Sequence, residues 1–277
     1  MISVKQKRPL LRYHGGKFLL APWIIGHFPK HKVYVEPFGG AASVLLQKPR
    51  AYAEVYNDMD SEIVNLFKVV RTEGEKLKEL LELTPFSRDE FLDSYTPSDD
   101  PLEQARRTVI RSFMGFGSAG ATRQKTGFRS NSNRSGTTPA HDWKNYPEAL
   151  HGIIERLKGV VIENRDAKEV MISHDADNAL HYVDPPYVLS TRYQGEKTKC
   201  YNYEMQDSEH VELLGFLKQL NGCVVLSGYD NEMYNDLLKD WRRVHRKAYG
   251  DGAVERTEVL WINREQKTDW GTLWSGI

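Results

Sequence analysis

Cysteine is scarce in this sequence of 277 residues, where only Cys200 and Cys223 are present. No Cys-x-x-Cys pair occurs, and neither cysteine lies near a cluster of possible metal ligands, which argues against structural zinc. A chain of this length buries a hydrophobic core without covalent cross-links. These features indicate a reduced, cytoplasmic protein that does not depend on disulfides.

Long apolar runs are also missing. No stretch approaches the length of a membrane-spanning helix, and residues 1–12 contain basic side chains but no apolar core of a signal peptide. From the nine histidines we expect no metal centre. The sequence therefore predicts a soluble protein without a membrane partner.

Net charge is absent overall, because 38 Lys and Arg residues balance 38 Asp and Glu residues, yet the charges are unevenly distributed. Residues 104–141, here called the basic segment, contain no acid. Phosphate contacts are predicted for its basic side chains, and Arg, Asn and Gln can also read base edges. A solvated surface loop is the alternative. The candidate DNA-binding residues are Arg106, Arg111, Arg123, Lys125, Arg129 and Arg134.

Short apolar runs alternate with helical patterns along the chain, which predicts an α/β fold with a mostly parallel sheet. Helices are expected after Asp60, after Pro147 and after Ser208, the last with Val211, Leu214 and Leu217 inward. Ligands of such sheets bind at the carboxyl ends of the strands. The predicted buried strands are 33–35, 53–56, 160–162, 179–183 and 223–226, with a late strand at 258–263.

Between residues 61 and 157 helices are predicted without a clear buried strand. We interpret this range as an inserted, mainly helical domain for target recognition. Residues 1–60 and 158–277 would then form the catalytic domain.

A turn of small residues follows the first predicted strand, at Glu36-Pro37-Phe38-Gly39-Gly40-Ala41-Ala42-Ser43. Such a turn lets a ligand approach the backbone closely, although many turns of this kind are only structural. Asp58 ends the next strand, where an acid can bind ribose hydroxyls. Its alternative role is to cap the following helix.

The most distinctive motif is Asp184-Pro185-Pro186-Tyr187, which follows a buried strand. Two prolines make a rigid turn, and Asp184 with the Pro185 carbonyl could accept both hydrogens of an exocyclic amine. Tyr187 could stack on the ring of a flipped base. A plain strand-terminating turn is the alternative.

Together with Leu11-Arg12-Tyr13-His14-Gly15-Gly16-Lys17, Glu36 to Gly40 and Asn57-Asp58, this motif resembles the Dam-type adenine-specific DNA methyltransferases over nearly the whole chain. The resemblance implies a Rossmann-like methyltransferase sheet and transfer of a methyl group from S-adenosyl-L-methionine to the exocyclic amine of a flipped adenine in double-stranded DNA. It also implies a bacterial or phage-infected cell. The resemblance implies catalytic roles for Asp184, Pro185, Pro186 and Tyr187. It implies cofactor contacts for Tyr13, Lys17, Phe38, Gly40, Asp58, Asp166 and Asp184.

The sequence departs from the family at two positions. Ala42 replaces the last glycine of the turn, where a positive φ is costly for alanine, and Tyr13 stands where some members have tryptophan. Asp166 is equally well explained as a helix cap.

Other functions remain open from the residues. Transfer to the amine of cytosine or to protein glutamine would use related motifs, and a silent DNA-binding protein or a nicotinamide-dependent enzyme could share the fold. We expect a monomer.

Overall fold

The computed structural model describes residues 8–133, 136–192, 201–249 and 255–264. Its centre is a seven-stranded sheet in the order β3-β2-β1-β4-β5-β7-β6, in which β1 to β5 pair in parallel and β7 runs antiparallel to both of its neighbours. The strands are β1 (Val33–Glu36), β2 (Ala53–Asn57), β3 (Val160–Glu163), β4 (Ala179–Val183), β5 (Cys223–Tyr229), β6 (Arg242–Tyr249) and β7 (Glu255–Ile262).

The chain order of the strands reverses between β1 and β4. From β1 the sheet extends through β2 to β3 on one side, and through β4 to β5 on the other. The loops that leave the carboxyl ends of two such strands diverge, and the crevice between them is the usual ligand site of an open parallel sheet. This topology confirms the predicted α/β sheet.

Helices cover both faces of the sheet. One face packs against the helices that follow β2, and the other against the helices that follow β3, β4 and β5. The helices are α1 (Ala21–Ile25), α2 (Ser61–Leu83), α3 (Arg88–Asp93), α4 (Pro101–Met114), α5 (Pro139–Lys144), α6 (Pro147–Leu157), α7 (Ala167–Ser173), α8 (Asp207–Leu217) and α9 (Glu232–Leu237).

Residues 61–157 form helices α2 to α6, as expected, and β3 follows them. Their apolar side chains join the sheet in one hydrophobic cluster, where the ring of Phe67 on α2 stacks 4.1 Å from that of Tyr56 on β2. Because α2 packs directly on the sheet, division of the chain into two domains at these boundaries stays a prediction.

Several local predictions hold and others fail. Asp60 caps α2 by accepting from the N–H of Glu62, as predicted. Helix α8 instead begins at Asp207 with Gln206 as its N-cap, and Val211 is 47% exposed, so the predicted cap at Ser208 and the inward Val211 are wrong. Strand β3 is at the sheet edge rather than buried, which leaves Val161 46% exposed.

Candidate active site

A cavity of about 310 Å³ lies at the carboxyl ends of the parallel strands. Acidic residues stand at or just after the ends of four neighbouring strands, and each of them lines this cavity. The volume falls in the range of small-molecule and cofactor sites, about 300 to 1,000 Å³. These acids are Glu36 at the end of β1, Asp58 after β2, Asp166 after β3 and Asp184 after β4.

The glycine turn after β1 brings the backbone close to aromatic rings. Gly40 has a φ of +47°, and a Cβ there would lie 2.9 Å from the ring of Tyr13. A Cβ on Gly39 would collide with the ring of Tyr56. Ala42 keeps a positive φ of 50° although it has a side chain, so the backbone of the turn retains a left-handed residue at this departure from the family pattern.

Asp58 is held by the backbone on both sides. One carboxylate oxygen accepts from the N–H of Gly40 at 2.8 Å and the other from the N–H of Asp60 at 2.8 Å. Burial raises the pKa of Asp58 to about 6, against the opposing effect of these hydrogen bonds. Because Asp60 caps α2, the alternative role of Asp58 as the cap of this helix is wrong.

Lys17 and Asp184 form a buried ion pair, with Nζ 3.1 Å from Oδ2. Lys17 also donates to the carbonyl of Gly15 at 2.6 Å. Burial lowers the pKa of Lys17, but the charges of Asp184 and Glu258 together outweigh it and the net shift is upward. Burial raises the pKa of Asp184, and Lys17 partly offsets this rise. The N-terminal motif and the turn after β4 thus meet in one place.

Three buried polar atoms in the cavity wall have no hydrogen-bond partner in the described part of the chain: Asp184 Oδ1, Tyr182 Oη and Ser43 Oγ. Buried polar groups are nearly always paired, so an unpaired one calls for an explanation, and in a cavity wall a bound ligand supplies one. The cavity wall therefore fits a ligand that carries several donors and acceptors.

Tyr187 lies below the cavity rather than in its lining. Its hydroxyl donates to Glu258 at 2.8 Å and lies 3.2 Å from Ser227 Oγ. Its ring meets Tyr229 edge to face at 4.6 Å, and only 8% of the residue is exposed. Pro186 and Asp184 line the cavity, while Pro185 is buried between them.

Asp166 is a helix cap, as the alternative predicted, and its contact with the cofactor stays a prediction. Its side chain caps α7 by accepting from the N–H groups of Lys168 and Glu169, and it lines the cavity. The predicted cofactor residues Tyr13, Lys17, Phe38, Gly40, Asp58, Asp166 and Asp184 all border the same space.

Sequence reasoning missed a segment at residues 201–204. Tyr201, Asn202 and Glu204 line the cavity. Tyr201 contacts the ring of His14 edge to face at 5.4 Å, and Asn202 donates to Asp60 at 2.7 Å. Arg192 donates to the carbonyl of Tyr187 and to Glu204. No local pattern announces these residues, because their role comes from folding back onto the N-terminal motif.

Comparison with known proteins identifies the family. The model of the D12 class N6 adenine-specific DNA methyltransferases matches residues 13–250. The chain belongs to this family.

Named relatives agree with this assignment at low identity. The chain is 25% identical to the DNA adenine methylase of Escherichia coli K12, over 91% of this chain and 93% of the relative. It is 26% identical to the Type II methyltransferase M1.LlaDCHI of Lactococcus lactis subsp. cremoris, with 86% and 87% covered. It is 25% identical to the Type II methyltransferase M.MjaIII of Methanocaldococcus jannaschii, with 77% and 80% covered.

As a D12-class enzyme, the protein is a site-specific DNA methyltransferase that acts on adenine. Membership implies S-adenosylmethionine as the methyl donor. The sheet topology is that of a Rossmann-like methyltransferase, as the resemblance implied. The open alternatives of cytosine, glutamine or a nicotinamide reaction are thereby set aside.

The basic segment of this D12-class methyltransferase corrects two predictions. Arg111 is 1% exposed and its guanidinium pairs with Glu62 and with the carbonyl of Ser94. Arg106 is held by Glu103 at 2.7 Å and by Glu90 at 2.8 Å. Both arginines hold helices together, so we withdraw them as DNA contacts.

The other candidates of the segment lie nearer the surface. Arg123 is half exposed and pairs with Glu62 through Nε, and Lys125 is exposed. Arg129 is partly buried and donates to the carbonyl of Phe113 at 3.0 Å. Arg134 lies outside the described residues.

Two histidines of the chain have a spacing that also occurs in metal sites. His27 and His31 do have His-x-x-x-His spacing, which sequence reasoning overlooked, but they lie outside any helix, and His31 Nδ1 is 2.8 Å from the carbonyl of Pro29. Within the described ranges, no group of three or more His, Cys, Asp or Glu is placed to hold a metal. None of the helices described is both long and apolar enough to cross a membrane.

Proposed function

We propose that the cavity at the strand ends binds S-adenosyl-L-methionine and that Asp184 receives the exocyclic amine of an adenine flipped out of double-stranded DNA. The observation that carries the proposal is the environment of Asp184. Its Oδ2 is held by Lys17 while its Oδ1 has no partner in the described chain, so one acceptor remains for a ligand at the cavity.

The residues around the cavity fit the cofactor. The carboxylate of Asp58 suits ribose hydroxyls, and its backbone bonds fix its orientation. Phe38, Gly40, Tyr13 and Lys17 line the pocket, and Asp166, which also lines it, is our candidate for contact with the adenine ring of the cofactor. When bound, S-adenosylmethionine supplies an electrophilic methyl group.

The target amine needs help because its lone pair is delocalised into the ring of adenine. Hydrogen bonds from its two hydrogens to Asp184 Oδ1 and the Pro185 carbonyl favour a tetrahedral nitrogen with a free lone pair. The rigid Pro185-Pro186 turn fixes these two acceptors relative to each other. Such positioning and electrostatic preorganisation are the main contributions that this site offers.

A base inside a duplex cannot reach this buried site, so the target must leave the stack. Tyr187 would then contact its ring. Since only 8% of Tyr187 is exposed and Lys17 Nζ lies 4.5 Å from its ring centroid, stacking requires the neighbouring side chains to move.

On the DNA side, Arg123, Lys125 and Arg129 supply phosphate or base contacts, with Arg134 as a further candidate. Their partial exposure next to α4 supports this assignment. We further propose that the enzyme acts as a monomer, because one chain contains all the groups named here.

Binding of S-adenosylhomocysteine to the wild-type protein and to Asp58→Ala tests the cofactor site. Calorimetry should show binding by the wild type and a loss of about 10-fold or more in the variant, as expected when hydrogen bonds to a charged group are lost. Equal affinity of the two proteins would contradict the assignment of Asp58.

A further inference from the structure

Glu258 is a buried carboxylate in an unusual position. It stands on β7, which runs antiparallel to β5, and it is 6% exposed. Its hydrogen bond is to the hydroxyl of Tyr187 at 2.8 Å, and no ion pair of Glu258 occurs among the described residues. Burial raises the pKa of Glu258, and the charge of Lys17 offsets this rise only in part. Burial of a carboxylate is costly, so an apolar residue would serve the sheet better at this position.

The contacts of Tyr187 explain why a carboxylate is there. Glu258 fixes the end of the ring at its hydroxyl, with Ser227 Oγ at 3.2 Å, and Tyr229 fixes one ring edge at 4.6 Å. Tyr229 and Glu258 are register partners on β5 and β7. The orientation of the Tyr187 ring is therefore set from β7 and β5 rather than from its own turn.

We propose that Glu258 is a positioning residue for methyl transfer, which acts by holding the ring of Tyr187 in the plane that the target base meets. This inference rests on the proposed contact of Tyr187 with the base. The Tyr187 hydroxyl donates to the Glu258 carboxyl at 2.8 Å, and this bond ties the end of the ring to β7.

A double-mutant cycle with Tyr187→Phe, Glu258→Leu and the combined variant tests the inference. Glu258→Leu should lower kcat about 10- to 100-fold, the range expected when a buried donor loses its acceptor. In the Tyr187→Phe background the same change should lower kcat less than about 3-fold, since the donor is already gone. The KM for DNA and the Kd of S-adenosylhomocysteine should stay within about 3-fold, because the effect arises after binding.

Conservative and matched variants sharpen the test. Glu258→Gln keeps an acceptor for the Tyr187 hydroxyl and should restore most of the kcat lost in Glu258→Leu. Glu232→Gln removes an exposed carboxylate on α9 and should leave kcat unchanged. If Glu258→Leu does not fold, the cycle of Glu258→Gln with Tyr187→Phe replaces it, and the smaller loss in Glu258→Gln must again vanish in the Tyr187→Phe background.

Independent effects of the two changes, which multiply in the combined variant, would overturn the inference. So would a fall in cofactor affinity that accounts for the whole loss of activity, because it would make Glu258 a scaffold residue. The proposed contact of Tyr187 with the target base has a separate test. An unchanged kcat in Tyr187→Ala would show that Tyr187 has no role in methyl transfer.

Discussion

The acids around the cavity and the arginines of α4 are both clusters of buried or half-buried charge, but their hydrogen-bonding capacity is used differently. Asp184 keeps one oxygen without a partner at the cavity, while its other oxygen is held by Lys17. Arg106 and Arg111 are instead occupied by Glu90, Glu103 and Glu62. Arg111 also has an Nε without a partner in the described chain, so the two groups differ in place: the unpartnered oxygen belongs to a residue that lines the cavity, whereas Arg111 is packed between helices.

The largest effect is expected on the free energy of unfolding, from replacement of a buried arginine of α4. Arg111→Ala leaves Glu62 buried with Arg123 as its remaining cation, and loss of a buried partner costs about 3 to 5 kcal/mol of unfolding free energy. Urea unfolding measures this loss. Lys76→Ala, which breaks an exposed pair with Glu73, is the control and should cost less than about 1 kcal/mol. Equal stability of both variants would show that Arg111 is not structural.

At the cavity the expected effect is on rate rather than stability. Asp184→Ala should lower kcat about 100- to 1,000-fold, as loss of a preorganised group does. Transfer of a radioactive methyl group to DNA measures it. Circular dichroism and urea unfolding should show a folded variant, and near-normal turnover by such a protein would refute the proposed role of Asp184.

A smaller effect is expected from pH. The pKa of Asp58 is about 6 because burial disfavours its charge, so the carboxylate is ionised above this pH and protonated below it. Ribose hydroxyls need the ionised acceptor, and the Kd of S-adenosylhomocysteine should rise by up to about tenfold for each pH unit below 6. Calorimetry between pH 5 and 8 tests this, with Asp58→Asn as the control that should remove the pH dependence. A flat profile for the wild type would contradict it.

The smallest effects should come from the surface of the basic segment. Replacement of Arg123, Lys125 or Arg129 by alanine should each weaken DNA binding a few-fold and reduce the slope of log affinity against log salt by about 1. Fluorescence anisotropy across a salt series measures both. Lys78→Ala on α2 serves as the control for loss of a surface cation outside this segment. If the slope of log affinity against log salt in all three variants equals that of the wild type, the basic segment does not contact DNA.

The sequence predicted the cavity better than the basic segment for a physical reason. The acids follow strand ends, and parallel strands bring their carboxyl ends to one edge, so Asp58 and Asp184 could be placed together from periodicity alone. The partners of Arg106 and Arg111 include Glu62 and Glu90, which lie outside the acid-free segment. A charge pattern within one segment cannot reveal them.

Two further features of the site could not be predicted from the sequence, because they depend on contacts between distant parts of the chain. Glu258 was predicted within a late strand, but its bond to Tyr187 joins residues far apart in the chain. Tyr201 and Asn202 reach the cavity by folding back onto the N-terminal motif and Asp60. Such contacts follow from the complete fold, and no periodicity marks them.

The central claim is that the protein methylates adenine in DNA at the site formed by the turn from Asp184 to Tyr187. The direct measurement is modification-sensitive sequencing of DNA from a methylation-free bacterial host that expresses the wild type or Asp184→Ala. The account predicts N6-methyladenine at one defined sequence with the wild type and none above background with the variant. Methylated cytosine, no modified base with the wild type, or equal adenine methylation by both proteins would contradict it.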